Sequence, residues 1–137
     1  MLDKIVSQKK EELKRRKKTL PLSYLKEHIA QQKPPLDFAL AIKGDHIRLI
    51  AEVKQASPSR GILHPNLNPT KLARTYVEGG AAAISVLTET NYFKGSIDHL
   101  ADIREAIELP LLRKDFIFIP KKVYESRAYG ADALLLI

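Results

Sequence analysis

Glu52 and Lys54 stand two residues apart in the run LIAEVKQASPSRG, and Lys114 and Phe116 stand two apart in LPLLRKDFIF. Both runs open with the short apolar lead of a buried strand, and side chains on a strand alternate between its faces. Each pair therefore shares a face, at what reads as the carboxyl end of its strand. A carboxylate, two ammonium groups and an aromatic ring converging there suit an anionic aromatic substrate whose reaction needs proton transfer.

The elements that must hold these groups are legible around them. Ile47 to Val53, Ala82 to Leu87, Leu111 to Arg113 and Ala133 to Ile137 are short apolar runs suited to buried parallel strands. Asn68-Pro69 supplies a cap and first-turn proline for a helix with the stripe Leu72, Ala73, Tyr76, Val77, ended by Gly79-Gly80. Ser96 caps a second, with Ile97, Leu100, Ile103 and Ile107 inward before Pro110; a third starts at Pro120, packs Val123 and Tyr124, and closes at Gly130. Residues 1–45 form a helical preface: Leu2, Ile5, Val6 and Leu13 lie near one helical face, and Ser23 caps a helix that stops before Pro34-Pro35.

Strands alternating with helices make a βαβ series and a parallel sheet. A doubly wound sheet and a (β/α)8 barrel both fit such a series. Neither GxGxxG nor GxxxxGK[ST] is present. Polar residues gather at the carboxyl ends of several strands, which favours the barrel.

Composition narrows the function classes. With 137 residues, 45% of them hydrophobic, the chain can build one core. No apolar run approaches a membrane span, and charge stands where a signal peptide would be apolar, so the expected setting is cytoplasmic. There is no cysteine, and His28, His46, His64 and His99 have no partner at metal-ligand spacing, which argues against a protein-held transition metal. Much of the +7 charge lies between Lys9 and Lys18. No aromatic residue interleaves that run to stack on bases, so it reads as a solvated helix face and not as a nucleic-acid or membrane surface. The positive field also favours a phosphorylated metabolite.

Four stretches, IAEVKQASPSRG (50–61), GAAAISVLTETNYFKGS (80–96), LPLLRKDFIF (109–118) and YESRAYGADALLLI (124–137), together resemble the indole-3-glycerol phosphate synthase family in order and separation. The basic start DKIVSQKKEELKRRK is similar to that family's N-terminal extension. The resemblance implies an α/β chain: the first four strands of a (β/α)8 TIM barrel over residues 46–137, preceded by a helical extension over 1–45. It implies closure of the indole ring of 1-(2-carboxyphenylamino)-1-deoxyribulose 5-phosphate with loss of carbon dioxide and water, using no cofactor and no metal.

The resemblance also assigns roles. Lys114 matches the general acid, a role a lysine fills best when its pKa comes down from about 10.4. Lys54 matches the lysine that contacts the substrate's anionic groups and assists dehydration, with Glu52 holding its ammonium. Ser57 matches a substrate-contacting hydroxyl, while Ser59 shapes the turn. Phe93 and Phe116 match the walls of the anthranilate pocket, and Leu135 an apolar wall on the fourth strand. From the residues alone, Glu52–Lys54 is also readable as a plain salt bridge, Lys114 as a partner of Asp115, and the phenylalanines as core.

A whole barrel of this kind takes roughly 250 residues. The chain stops within its fourth strand, short of the family's general-base glutamate, its asparagine and second glutamate, and its phosphate loops. The expectations are a truncated chain, inactive alone unless a residue such as Glu89 substitutes for the base, and prone to self-association through the exposed last strand. The alternatives are a noncatalytic half-barrel that binds a phosphorylated ligand or a partner, and a relative of phosphoribosylanthranilate isomerase.

Overall fold

The computed structural model of the chain describes residues 1–16 and 20–137, so Lys17 and Lys18 of the basic run lie outside the described residues. The elements run α1 (Leu2–Arg16), α2 (Leu22–Gln31), α3 (Phe38–Ile42), β1 (Ile50–Val53), β2 (Ala56–Ser57), β3 (Gly61–Ile62), α4 (Pro69–Glu78), β4 (Ala83–Leu87), α5 (Ile97–Ala106), β5 (Leu111–Ile117), α6 (Pro120–Ala128) and β6 (Ala133–Leu136). β1, β4, β5 and β6 form one parallel sheet in that order, and β2 and β3 form a small antiparallel pair. An order that follows the chain without reversal, joined by right-handed crossovers, keeps the crossover helices on one face. A doubly wound sheet needs a reversal; a barrel wall does not. The chain is thus an α/β partial TIM barrel with a helical N-terminal segment.

Local chemistry explains most boundaries. The Asn68 side chain accepts the Lys71 N–H at 3.1 Å, and Ser96 Oγ accepts the Asp98 N–H at 3.1 Å, so α4 and α5 begin where the sequence places them. Ser23 does not cap α2. That helix starts at Leu22, two residues earlier than a Ser23 cap would set, after Pro21, whose carbonyl accepts the Tyr24 and Leu25 N–H groups. The short α3 is unforeseen, although Asp37 caps it through the Leu40 N–H at 2.9 Å. β1 begins at Ile50 and not at Ile47, because pairing with β4 opens at Ile50 and Ala83.

The core lies between the sheet and the crossover helices, where Val53, Ile84, Val86 and Leu111 meet Ala73, Leu100 and Ile103. Two departures share a cause. β5 runs on to Ile117 although the sequence places its end at Arg113, and α6 buries Lys122 and Ser126 while Val123 and Tyr124 stay 39% exposed. The outer face of β5 carries Arg113 and Asp115, and α6 answers it with polar groups. Arg113 Nε donates to Thr88 Oγ1 at 2.9 Å and Nη1 to Ser126 Oγ at 3.0 Å, and its guanidinium pairs with Glu125 at 3.0 Å and Asp115 at 3.4 Å. Every arm of the buried guanidinium is occupied, which is the condition for burying charge.

Lys9 belongs to the same network. The sequence reads the basic run as a solvated face, and Lys14 fits that reading in its exposed pair with Glu11. Lys9 does not: it is 5% exposed, with Nζ 3.2 Å from Glu12 and 3.6 Å from Asp115. α1 is thereby pinned to the carboxyl half of β5.

Candidate active site

Alternation sends Leu111, Arg113, Asp115 and Ile117 toward the helices and leaves Leu112, Lys114 and Phe116 on the opposite, concave face. On β1 the buried residues are Ala51 and Val53, so Glu52 shares that concave face. β4 lies between, and its register sets Ser85 level with Glu52 and Leu87 level with Lys114. Residues 62 positions apart are in this way brought into contact. Lys114 Nζ donates to Glu52 Oε1 at 2.8 Å, and Lys54 Nζ stands 3.3 Å from Glu52 Oε2.

The carboxylate therefore bridges both ammonium groups, where the sequence reading paired it with Lys54 alone. Burial works to raise the Glu52 pKa, and the hydrogen bond and charge of Lys114, then those of Lys54, outweigh it and hold the carboxyl below its ordinary value. α4 braces the same point from behind, since Tyr76 Oη donates to the Glu52 carbonyl at 2.9 Å. The alternative pairing of Lys114 with Asp115 does not form. Asp115 lies on the other face, where burial would raise its pKa but Lys9, Arg113, Thr88 and the Phe116 N–H together keep it below its ordinary value.

Phe93 and Phe116 also come together, with ring centroids 6.4 Å apart and planes inclined by 41°, within the range of favourable aromatic pairs. Leu135 joins their face by alternation, because Leu134 is in register with Arg113, but it sits on the edge strand and is exposed. Ser57 lies in the loop that follows β1. It is buried in β2, and its Oγ accepts the Arg60 N–H at 3.3 Å, so its hydroxyl also shapes the turn.

Glu89 enters from the sequence only as a possible substitute base. Its carboxylate is occupied: Oε1 accepts the Asn91 N–H at 2.8 Å, and Oε2 those of Tyr92 at 2.7 Å and Phe93 at 3.0 Å. The signal was present, an acid two residues after a buried strand and before a short loop closed by glycine, but it resembles any polar loop. Among the described residues no group of three His, Cys, Asp or Glu is placed to hold a metal ion.

The model of the family "Indole-3-glycerol phosphate synthase" matches residues 2–137. A protein of that name from Dehalococcoides mccartyi is 54% identical over 141 aligned residues, taking in 100% of this chain and 54% of the relative. Its counterpart in Roseiflexus sp. is 48% identical, with 100% and 54% covered, and one in Mycobacterium sp. is 47% identical, with 100% and 50% covered. The chain spans about half the length of these curated relatives.

Proposed function

The chain belongs to the indole-3-glycerol phosphate synthase family, and we propose that it carries the acid and aromatic half of that family's site. The observation that carries this reading is the Glu52 carboxylate held between Lys114 at 2.8 Å and Lys54 at 3.3 Å beside the Phe93–Phe116 pair. In this reading the anthranilate ring of 1-(2-carboxyphenylamino)-1-deoxyribulose 5-phosphate lies against the two phenylalanines, with Leu135 as a further wall. Lys114 gives its proton to the ketone oxygen as the ring carbon bonds to the carbonyl carbon. Carbon dioxide then leaves, and loss of water completes the indole, with Lys54 near the departing hydroxyl and the substrate's anionic groups. Glu52 keeps both ammonium groups oriented. Residues 1–45 serve as the helical extension and 46–137 as the barrel portion, in a cytoplasmic setting; among the described residues no helix is long and apolar enough to cross a membrane.

The chain alone is expected to be inactive, since positioning and general base catalysis draw on groups outside the four strands. Incubation with the substrate, followed by indole fluorescence, tests this against a low background because the chain has no tryptophan. No turnover is expected from the chain alone. Turnover is expected on adding the C-terminal half of a relative, with a fall of about 10²–10⁴ in Lys114→Ala. Turnover by the chain alone that survives Lys114→Ala would refute the assignment.

A second reading rests on the sheet edges. β1 and β6 each pair with one strand, and Leu49, Ile50, Leu135, Leu136 and Ile137 are exposed along them. Such edges are templates for strand pairing, so we also propose that two copies associate through them.

A further inference from the structure

Between β4 and α5 the chain makes a compact loop over residues 89–95. Glu89 is 1% exposed, and its carboxylate gathers the N–H groups of Asn91, Tyr92 and Phe93 within 2.7–3.0 Å. Its backbone carbonyl accepts the Gly95 N–H at 2.8 Å, which closes the loop. Lys94 supplies the required positive φ of 54°, and Gly95 lies so close to the Leu87 carbonyl that a Cβ would not fit. Phe93 is therefore gripped on both sides of its own backbone: its N–H by Glu89, and its carbonyl by the Ala56 N–H at 3.2 Å.

We propose that Glu89 is a positioning residue that sets the Phe93 ring opposite Phe116 and so fixes the fit of the aromatic end of an anthranilate-type ligand. The proposal rests on the aromatic-pocket reading above. Three N–H donors converge on one carboxylate, and an ionised acid accepts at both oxygens without offering a hydrogen of its own. A charge buried to this degree for the sake of a loop backbone is costly unless it is fully bonded, and here its bonds end on the residue that carries the ring. A glutamine of the same shape offers one oxygen, and its amide nitrogen would face a donor. The loop is also tied outward, through Asn91 Nδ2 to Glu12 Oε1 at 2.6 Å, so α1 bears on the same segment.

The test compares the full 137-residue chain with Glu89→Gln, Phe93→Ala and the double variant. By NMR, Glu89→Gln is expected to speed amide exchange at Asn91, Tyr92 and Phe93 and to erase the cross-ring contacts between Phe93 and Phe116, while β4 and β5 stay protected. Ring contacts that survive the substitution in a folded chain overturn the proposal. If Glu89→Gln does not fold, Glu89→Asp, which keeps both oxygens but withdraws them by one methylene, is judged by the same contacts. Titration with anthranilate, followed by its own fluorescence, is expected to show affinity about tenfold weaker in Glu89→Gln, with the double variant no weaker than Phe93→Ala alone. Additive losses would mean that Glu89 acts elsewhere than through Phe93. Failure of the parent chain to bind anthranilate rejects the pocket reading, and the ring contacts still decide whether Glu89 places Phe93.

Discussion

Between two lysines the Glu52 carboxylate has no reason to take up a proton in the physiological range. Its folded pKa lies below the ordinary 4.5, since the lysine contacts outweigh burial. The stability it contributes is therefore present above that ordinary value and is lost as pH falls through the lowered one. In chain reconstituted with a C-terminal half, we expect the acid limb due to Glu52 to lie below pH 4.5 and to disappear in Glu52→Gln. That variant should also lose about 10²-fold in kcat/KM, because both ammonium groups lose their charged anchor; a pH–rate profile superimposable on the parent's would count against the bridge. Glu52, Lys54 and Lys114 were legible in the sequence because alternation needs only strand assignment. The contact from Glu52 to Lys114 was not, since it depends on β4 lying between β1 and β5. Lys9 misled for a related reason: a basic run reads as solvated until the acid that takes one member of it is placed in space.

β5 is two elements in one, with Leu112, Lys114 and Phe116 toward the concave face and Arg113 and Asp115 under the helices. Asp115→Asn leaves Arg113 and Lys9 short of their acceptor, and removing one member of a buried pair costs about 3–5 kcal/mol, readable as a lower urea midpoint. Because the Asp115 pKa is lowered from 3.8, its contribution is full above that value and drains away as pH falls below it. Lys122 has the opposite sign. Burial, aided by Arg113, depresses its pKa despite Glu125, so the folded state bears a cost at neutral pH that is relieved as pH rises toward the ordinary 10.5. Lys122→Met is expected to be neutral or stabilising in the same urea experiment; a loss above about 2 kcal/mol would show that the lysine holds Glu125 in place. The starts of α4 and α5 were legible to the residue, because side-chain caps are local signals, while α5 ends at Ala106, well before the Pro110 stop. The charged face of α6 was not, because a helix that packs on buried charge inverts the apolar stripe by which helices are read.

At the scale of the molecule, one set of bracing contacts lies at the opposite end of the strands from the Glu52–Lys114 pair. Asp132, just before β6, accepts the N–H groups of Leu36 at 2.8 Å and Leu111 at 2.9 Å and pairs with Arg104 at 2.7 Å. It ties the segment after α2 to the amino end of the sheet, away from Lys114. Asp132→Asn should lower the unfolding midpoint and leave anthranilate affinity unchanged. The sheet edges give a further expectation: Leu136 is 72% exposed, and Leu136→Lys should shift sedimentation of the concentrated chain toward monomer. A parent chain already monomeric at high concentration would exclude pairing through β6.

The two-faced pattern of β5 also limits how the gene can vary. A single codon gained or lost between Leu111 and Arg113 would turn the rest of the strand inside out, driving Lys114 beneath α6 and leaving Arg113 and Asp115 on the concave face, while a change of two codons would restore each residue to its side. Length variation in this strand should therefore be tolerated only in even steps.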